Sequence, residues 1–545
     1  MSSFKKNWIG FGVVLVVFMV VLVQIYANDI YSEINKTFPI LKEVYKEVTV
    51  RYVDDIETEK FLKAGIDGML GTLDPYSSYI EKEDKEQLQI LTDGKYEGVG
   101  MGLSIRNGQV TVIDPPFLGT PAARAGIREG DVITKVDGDA TKGLSLNETV
   151  HKIRGPAGSP VTLTIMRNGQ DEPLDFTLIR EKIKIEDVRF AGIVDEAIGY
   201  IRLTRFSKNA AMEVREKIQE FNQKNLKGLI LDLRSNPGGM LDAAVQVSDI
   251  FLPKDALIVS TRGRTKPSNQ EFKSRWDPIF NDKPLVILVN RSSASASEIV
   301  AGAIQDHDRG IVLGDTTFGK GLVQTVVPLT PVSALKITTA KYYTPSGRCI
   351  QRQDYSMWAD TTNSDEELAY YTNNGRPVFG GGGIVPDIVV EPEQVNDLVW
   401  DLQRKSHYFN FAVEYTNTHT NIDTSFQVKD SIVNAFKDYL DERGYKYQHS
   451  IEKELAAFKK EALKEGYDPS ILLEVEDLQK SLVQIKDDVF RSSIKDIKRI
   501  LKLEIASKVF GTEMESRISL QDDRVVQKAK TLINDTTFYA GILEE

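Results

Sequence analysis

The segment "NRSSASASEIVAGA", Asn290 to Ala303, sets four serines within six positions at the start of an apolar, helix-like run. Two chemistries fit. Ser295 and Glu298 match the S-x-x-E capping box, in which the hydroxyl satisfies an orphan N–H of the helix. Alternatively one hydroxyl is a nucleophile, and the helix dipole with its unbonded N–H groups stabilises the anion that forms. A serine needs a base for that role. The chain has five histidines, and His307 lies between Asp306 and Asp308. If the helix runs on, a rise of 1.5 Å per residue puts His307 about 18 Å from Ser295, so it reads as a helix-end surface residue. Neither GxSxG nor HExxH occurs.

A different base is offered by "GDTTFGKGLVQT", Gly314 to Thr325. Lys320 lies between Gly319 and Gly321, with no neighbouring carboxylate in sequence to hold it charged. Burial lowers such an amine to about 7–8, where it accepts protons at neutral pH. Gln324, four residues on, can orient the amine without adding charge. A phosphate-loop reading of the G-x4-G-K frame fails, because Gly321 stands where Mg²⁺ needs a hydroxyl and "LVQTVVPL" reads as a strand. A surface lysine in a glycine turn is the other alternative.

The elements that must carry these loops follow from periodicity. "GLILDLR", "PLVILVN" and "GIVLG" are buried-strand runs alternating with helical stretches, which predicts an α/β core over 183–395. Residues 29–88 have helical spacing and form a helical arm. Residues 89–182 are short β runs broken by glycine, with "RNGQ" at 106–109 and 167–170 as hairpin turns. Residues 396–545 are Lys/Glu-rich and helical, with Leu455, Phe458 and Leu463 at helical spacing, suited to packing on the core, to oligomerisation or to docking an adaptor protein. Asp360 to Asn374 and the tetraglycine Gly380 to Gly383 read as exposed loops.

Trp8 to Ala27 carries no charge over 20 residues, enough to cross a hydrocarbon core of roughly 30 Å. Lys5 and Lys6 before it, and Asp29 and Glu33 after it, place the tail inside and the bulk across the membrane. Residues 1–28 are therefore expected to be a single-pass inner-membrane anchor with the rest of the chain in the periplasm; a cleaved signal peptide is the alternative. The net charge of −11, with acidic and basic residues interleaved, excludes a nucleic-acid partner. The single cysteine, Cys349, leaves no intrachain disulfide and no CxxC zinc or redox pair.

"GVGMGLSI" (98–105), "GTPAARAGIREGDVITKVDG" (119–138) and "HKIRGPAGSPVTLTIMRNG" (151–169) resemble a PDZ domain. Gly100, Met101, Gly102 and Leu103 are the positions expected to hold a peptide's C-terminal carboxylate on backbone N–H groups, with the strand edge taking the peptide. A packing module without ligand is the alternative. The order PDZ, "LDLRSNPGG" (231–239), "SSASASE" (292–298), "FGKGLVQ" (318–324) and "GGGIVPDIVV" (381–390) resembles the C-terminal processing peptidases, or tail-specific proteases, of serine peptidase family S41.

That resemblance implies Ser295 as nucleophile, Lys320, 25 residues downstream in the family's pattern, as general base, and Gln324 as its orienting partner. The Ala296 N–H is an oxyanion donor by position. "NPGG" supplies the second, Gly238 in preference to Gly239, unless it is an ordinary β-turn. Arg154, in "KIRGPAG", is a candidate latch between PDZ and active site. No metal or other cofactor is required. The implied substrates are proteins with apolar or unstructured C-termini; the non-protease alternatives are a catalytically idle PDZ adaptor and an apolar-ligand-binding protein on the same core.

Overall fold

In the computed structural model the described residues are 31–170, 172–195, 197–352, 369–391, 393, 395–447 and 450–544. They divide into two units: 31–81 with 326–337, and 82–325 with 338–544. The first unit has a helix over 31–51, a helix Thr58–Leu70 and a short strand Ser78–Ile80 paired antiparallel with 334–336. Tyr45 stacks on Phe61 at 5.4 Å. The arm expected to be helical also contains this strand. Among the described residues no helix is long and apolar enough to cross a membrane, and the apolar stretch 8–27 lies outside them.

In the second unit the predicted buried runs form one sheet. Its strands lie in the order Val188–Val194, Ile198–Leu203, Gly228–Asp232, Leu285–Val289, Ile311–Gly314 and Ile388–Val389, the first pair antiparallel and the rest parallel. A parallel sheet must be covered on both faces. One face carries helices Ala210–Asn222, Leu241–Ser248 and Ala296–Asp306. The other is covered from far along the chain: Leu520, Val526, Ala529, Leu532, Ile533 and Tyr539 pack against Ile198, Tyr200, Ile230, Val286, Leu288 and Leu313. The Tyr539 hydroxyl accepts from the Leu285 N–H and donates to the Leu285 carbonyl, at 3.0 and 2.9 Å. Residues 398–505 hold a separate helical core. Phe458 and Leu463 stay exposed on the helix Ser450–Glu465.

The β-rich segment forms a sheet ordered Leu103–Arg106, Gln109–Val112, Val132–Val136, Pro160–Met166, Leu174–Ile179, with helix Leu146–Ile153 beside the edge strand Leu103–Arg106. The hairpin at Arg106–Gln109 has positive φ at Asn107 and Gly108 (51° and 74°), as a type I′ turn requires. At the second "RNGQ" only Gly169 has positive φ, and the strands there are joined by a longer loop. The chain enters and leaves this module through a two-stranded stem, Lys95–Gly98 paired antiparallel with Glu181–Lys184. The module also meets the helical region: Lys508 Nζ is 2.9 Å from Glu129 and 2.7 Å from Glu504, and lies over the Phe409 ring.

Candidate active site

The four serines separate by their partners. Ser293, fully buried, donates to the Leu233 carbonyl at 2.8 Å and accepts from the Asn290 N–H. Ser297, also buried, donates to the Asn236 carbonyl at 2.9 Å. These two tie the serine loop to the "NPGG" loop. Ser292 is exposed. Ser295, the residue before the helix Ala296–Asp306, has φ 58° and ψ −113°, a region that costs a non-glycine residue of order 1–3 kcal/mol. Its N–H donates to the Glu298 side chain at 2.7 Å, one half of a capping box. The Glu298 N–H reaches the Ser295 carbonyl at 2.8 Å, so the cap does not depend on the hydroxyl.

Glu298 does more than cap. Completely buried, it accepts four hydrogen bonds. One oxygen takes the Ser295 N–H at 2.7 Å and the Lys320 N–H at 2.9 Å; the other takes the Thr317 hydroxyl at 2.6 Å and the Gly319 N–H at 2.7 Å. Burial pushes its pKa up, and these donors work against that shift. The two loops singled out for nucleophile and base therefore converge on one carboxylate. A further bond joins them, from the Phe318 N–H to the Ser293 carbonyl at 3.0 Å.

The lysine turn is held from several sides. Gly319, φ 85°, packs so closely on Arg352 that a Cβ would lie 2.8 Å from the Arg352 Cβ. The Gly321 N–H donates to Gln351 at 2.7 Å, and the Tyr342 hydroxyl donates to the Lys320 carbonyl. The tetraglycine expected to be an exposed loop belongs to this support. Gly383 is buried, and a Cβ there would lie 2.7 Å from the Thr317 carbonyl, while the Ile384 N–H bonds the Thr317 hydroxyl at 2.7 Å. Only bare backbone fits that gap. Gln324, on the strand after the turn, donates to Thr338 Oγ1 at 3.3 Å and to the Leu322 carbonyl at 3.5 Å.

"NPGG" lies directly against the serine. A Cβ on Gly238, φ 101°, would be 2.7 Å from the Ala294 carbonyl, 2.9 Å from the Ala296 nitrogen and 2.9 Å from the Ser295 Cβ. The preference for Gly238 as donor is corrected here. Its N–H is engaged by the Asn236 side chain at 2.9 Å, in a turn where Asn236 also bonds the Leu203 carbonyl. Gly238 is instead the wall against Ser295. A buried ion pair anchors the loop from behind: Asp232 accepts from Tyr200 at 2.6 Å and pairs with Arg234 at 2.6 Å, and Arg234 reaches Asp523 at 2.8 Å. Burial opposes the charge on Asp232, yet the Arg234 guanidinium beside it holds the carboxyl below its ordinary range.

His307 ends the helix, as its spacing from Ser295 requires, but it is not a free surface residue: Nε2 meets the Leu257 carbonyl at 2.6 Å and Nδ1 meets Asn373 at 3.0 Å. Among the described residues no three His, Cys, Asp or Glu side chains converge as metal ligands would.

Away from the serine, Gly100, Met101, Gly102 and Leu103 line a cavity of about 250 Å³ with Tyr96, Val99, Phe117, Val150 and Arg154. Gly100, φ 82°, folds its carbonyl inward to the Phe117 N–H at 3.0 Å. Arg154 stands with its guanidinium 4.9 Å from the Tyr96 ring centre and 3.2 Å from Gln87 Oε1. Tyr96 and the fourfold role of Glu298 were not foreseen from sequence.

Four family models match the chain: "Peptidase family S41" over residues 197–357, "PDZ domain" over 116–167, "Probable PDZ-protease, C-terminal helical domain" over 398–533, and "Activating protease CtpB N-terminal domain" over 24–84. A carboxy-terminal-processing protease of Bartonella bacilliformis is 40% identical over 384 residues, 70% of this chain and 81% of that protein. The carboxy-terminal processing protease CtpB of Bacillus subtilis is 34% identical over 59% of this chain and 67% of its own length. Among solved structures, a photosystem II D1 C-terminal processing protease is 29% identical, with 65% of this chain and 92% of that one covered and a TM-score of 0.36.

Proposed function

Since this chain belongs to peptidase family S41 and is a carboxy-terminal-processing serine peptidase with a PDZ domain, we propose that Ser295 is its nucleophile and Lys320 its general base. The Lys320 amine takes the hydroxyl proton as Ser295 Oγ attacks the scissile carbonyl. The oxyanion is met by the N–H groups of Ala296 and Gly239. Lys320 returns the proton to the leaving amine, the peptide bond breaks and an acyl-enzyme remains. Water, deprotonated by the same amine, then releases the acid. Gln324 orients the lysine without supplying charge. The observation that carries this reading is the sharing of one Glu298 oxygen by the Ser295 and Lys320 N–H groups.

Protein substrates are recognised by their C-terminal ends in the cleft lined by Gly100 to Leu103, beside an edge strand open to a further strand. Residues 8–27 anchor the chain in the inner membrane, with the catalytic part in the periplasm; the support is their apolar length and flanking charges. Membrane fractionation with alkaline extraction tests the anchor. Catalysis is tested on an apolar-tailed protein: Ser295→Ala and Lys320→Ala each lower turnover roughly 10³-fold or more. Lys320→Arg does the same, because a guanidinium does not give up its proton. Full activity in any of the three defeats the assignment.

A further inference from the structure

Thr317 stands where three parts of the core meet. It is fully buried, in the loop that leaves the strand Ile311–Gly314 and runs into Lys320. Its hydroxyl donates to Glu298 Oε1 at 2.6 Å and accepts from the Ile384 N–H at 2.7 Å. A hydroxyl carries one hydrogen, so with Ile384 donating to it that hydrogen is committed to the carboxylate. The backbone of the same residue is held as well: the Thr317 N–H meets the Ile384 carbonyl at 3.1 Å, and the Thr317 carbonyl accepts from Arg352 at 2.9 Å. Bare backbone at Gly383 lets the returning segment come this close, since a Cβ there would lie 2.8 Å from the hydroxyl. That segment runs on as the edge strand Ile388–Val389, paired with Leu313 and Gly314.

Of the four donors on Glu298, those from Ser295, Gly319 and Lys320 are main-chain N–H groups. Thr317 supplies the one that comes from a side chain. It holds the oxygen that Ser295 and Lys320 do not share, and so fixes the plane of the carboxylate on which those two residues are hung. We propose that Thr317 is a positioning residue of the reaction, turning Glu298 so that Ser295 and Lys320 are presented to each other and tying that presentation to the segment 383–389. The proposal rests on the reading of Ser295 and Lys320 as the reacting pair. Thr317 acts through Glu298 rather than on the substrate. Its effect therefore falls on kcat, because a displacement on the order of 1 Å slows the chemistry while the substrate is bound as before.

The test is steady-state cleavage of an apolar-tailed protein by the full-length chain, with kcat counted per folded molecule from a urea curve on the same preparation. Thr317→Val keeps the shape and removes the hydroxyl; kcat is expected to fall roughly 10-fold or more, with KM within about twofold. Thr317→Ser restores the hydroxyl and is expected to recover kcat to within about threefold. Gly383→Ala, which pushes the returning segment off the same hydroxyl, is expected to lower kcat in the same manner. Tyr539→Phe also removes a hydroxyl with two buried bonds, but on the face of the sheet away from the helix Ala296–Asp306, and is expected to keep kcat. Retained kcat in Thr317→Val, a loss confined to KM, an equal loss in Thr317→Ser or an equal loss in Tyr539→Phe overturns the proposal. So does unchanged kcat in Gly383→Ala, which decides the matter should Thr317→Val not fold. Full turnover in Ser295→Ala or Lys320→Ala instead removes the reading beneath the proposal, whatever the Thr317 variants do.

Discussion

Ser295 and Lys320, 25 positions apart in the chain, donate their backbone N–H groups to the same oxygen of Glu298. Neither loop is placed by the central sheet alone. The carboxylate sets both, and with them the approach of any group they carry. Glu298→Gln swaps one acceptor oxygen for a donor amide, so two of the four bonds are lost and two N–H or O–H groups face another donor. Turnover is expected to fall roughly 10–100-fold with KM little changed, through misplacement of the reacting groups. Thermal melting is expected to show a loss of about 2–4 kcal/mol, because buried partners are left unsatisfied. Steady-state kinetics and a melt on one preparation decide it.

Gly238 backs Ser295 too closely for any side chain. Gly238→Ala forces the "NPGG" loop away from Ser295 and displaces the oxyanion donors, and turnover is expected to drop roughly 10²–10³-fold. Gly347→Ala is the control, since Gly347 has a comparable φ of 89° but nothing within 4 Å of its added Cβ. Equal activity in the two variants would show that the close approach has no catalytic consequence.

The contact between the PDZ module and the helical region titrates. Burial pushes the Glu129 carboxyl up to about 7, against the pull of Lys508 and with Glu504 and Asp114 adding repulsion. Glu515, on the neighbouring helix, is raised as well, mainly by burial. A carboxyl with a raised folded-state pKa binds more protons folded than unfolded, so its contribution is full below about 4.5 and is lost as pH rises through about 7. Between pH 5 and pH 8 the stability of the docked form is expected to fall by roughly 1–3 kcal/mol. Glu129→Gln should flatten that slope. A urea midpoint that falls equally steeply in the variant would place the titration elsewhere.

Tyr539 closes the second face of the sheet through two bonds to Leu285. Tyr539→Phe is expected to cost about 1–3 kcal/mol, because the Leu285 N–H is then left buried and unpaired. Removal of residues 523–545 leaves the apolar face of strands 198–203, 228–232 and 285–289 in water, and soluble yield is expected to collapse. A truncated chain that stays soluble and active would contradict the layer described here.

The Ser295 and Lys320 loops stand out in sequence because the chemistry they suggest is local: hydroxyls, an amine and glycines within short windows. The Asn107–Gly108 turn is legible for the same reason, since positive φ restricts the residues that can occupy it. Glu298 was readable only as a cap, because three of its four donors arrive from a loop some twenty residues downstream. The tetraglycine looked like loop composition, whereas Gly383 is small for the sake of Thr317. The preference for Gly238 over Gly239 missed that Asn236 engages the Gly238 N–H, a bond that exists only in the folded turn. Tyr96 carries no motif; its place in the cleft with Gly100 and Met101 exists only after the chain folds back on itself.

The covering of the central sheet by Leu520 to Tyr539 bears on how this protease is made. Its strands are synthesised well before the helices that roof them, so a growing chain carries an uncovered apolar sheet until those helices emerge. The Arg234–Asp523 contact, which braces the loop beside Ser295, is missing for the same interval. Assembly of the cutting machinery therefore waits until residues 520–539 have been made, and a chain stopped before them is left without that brace.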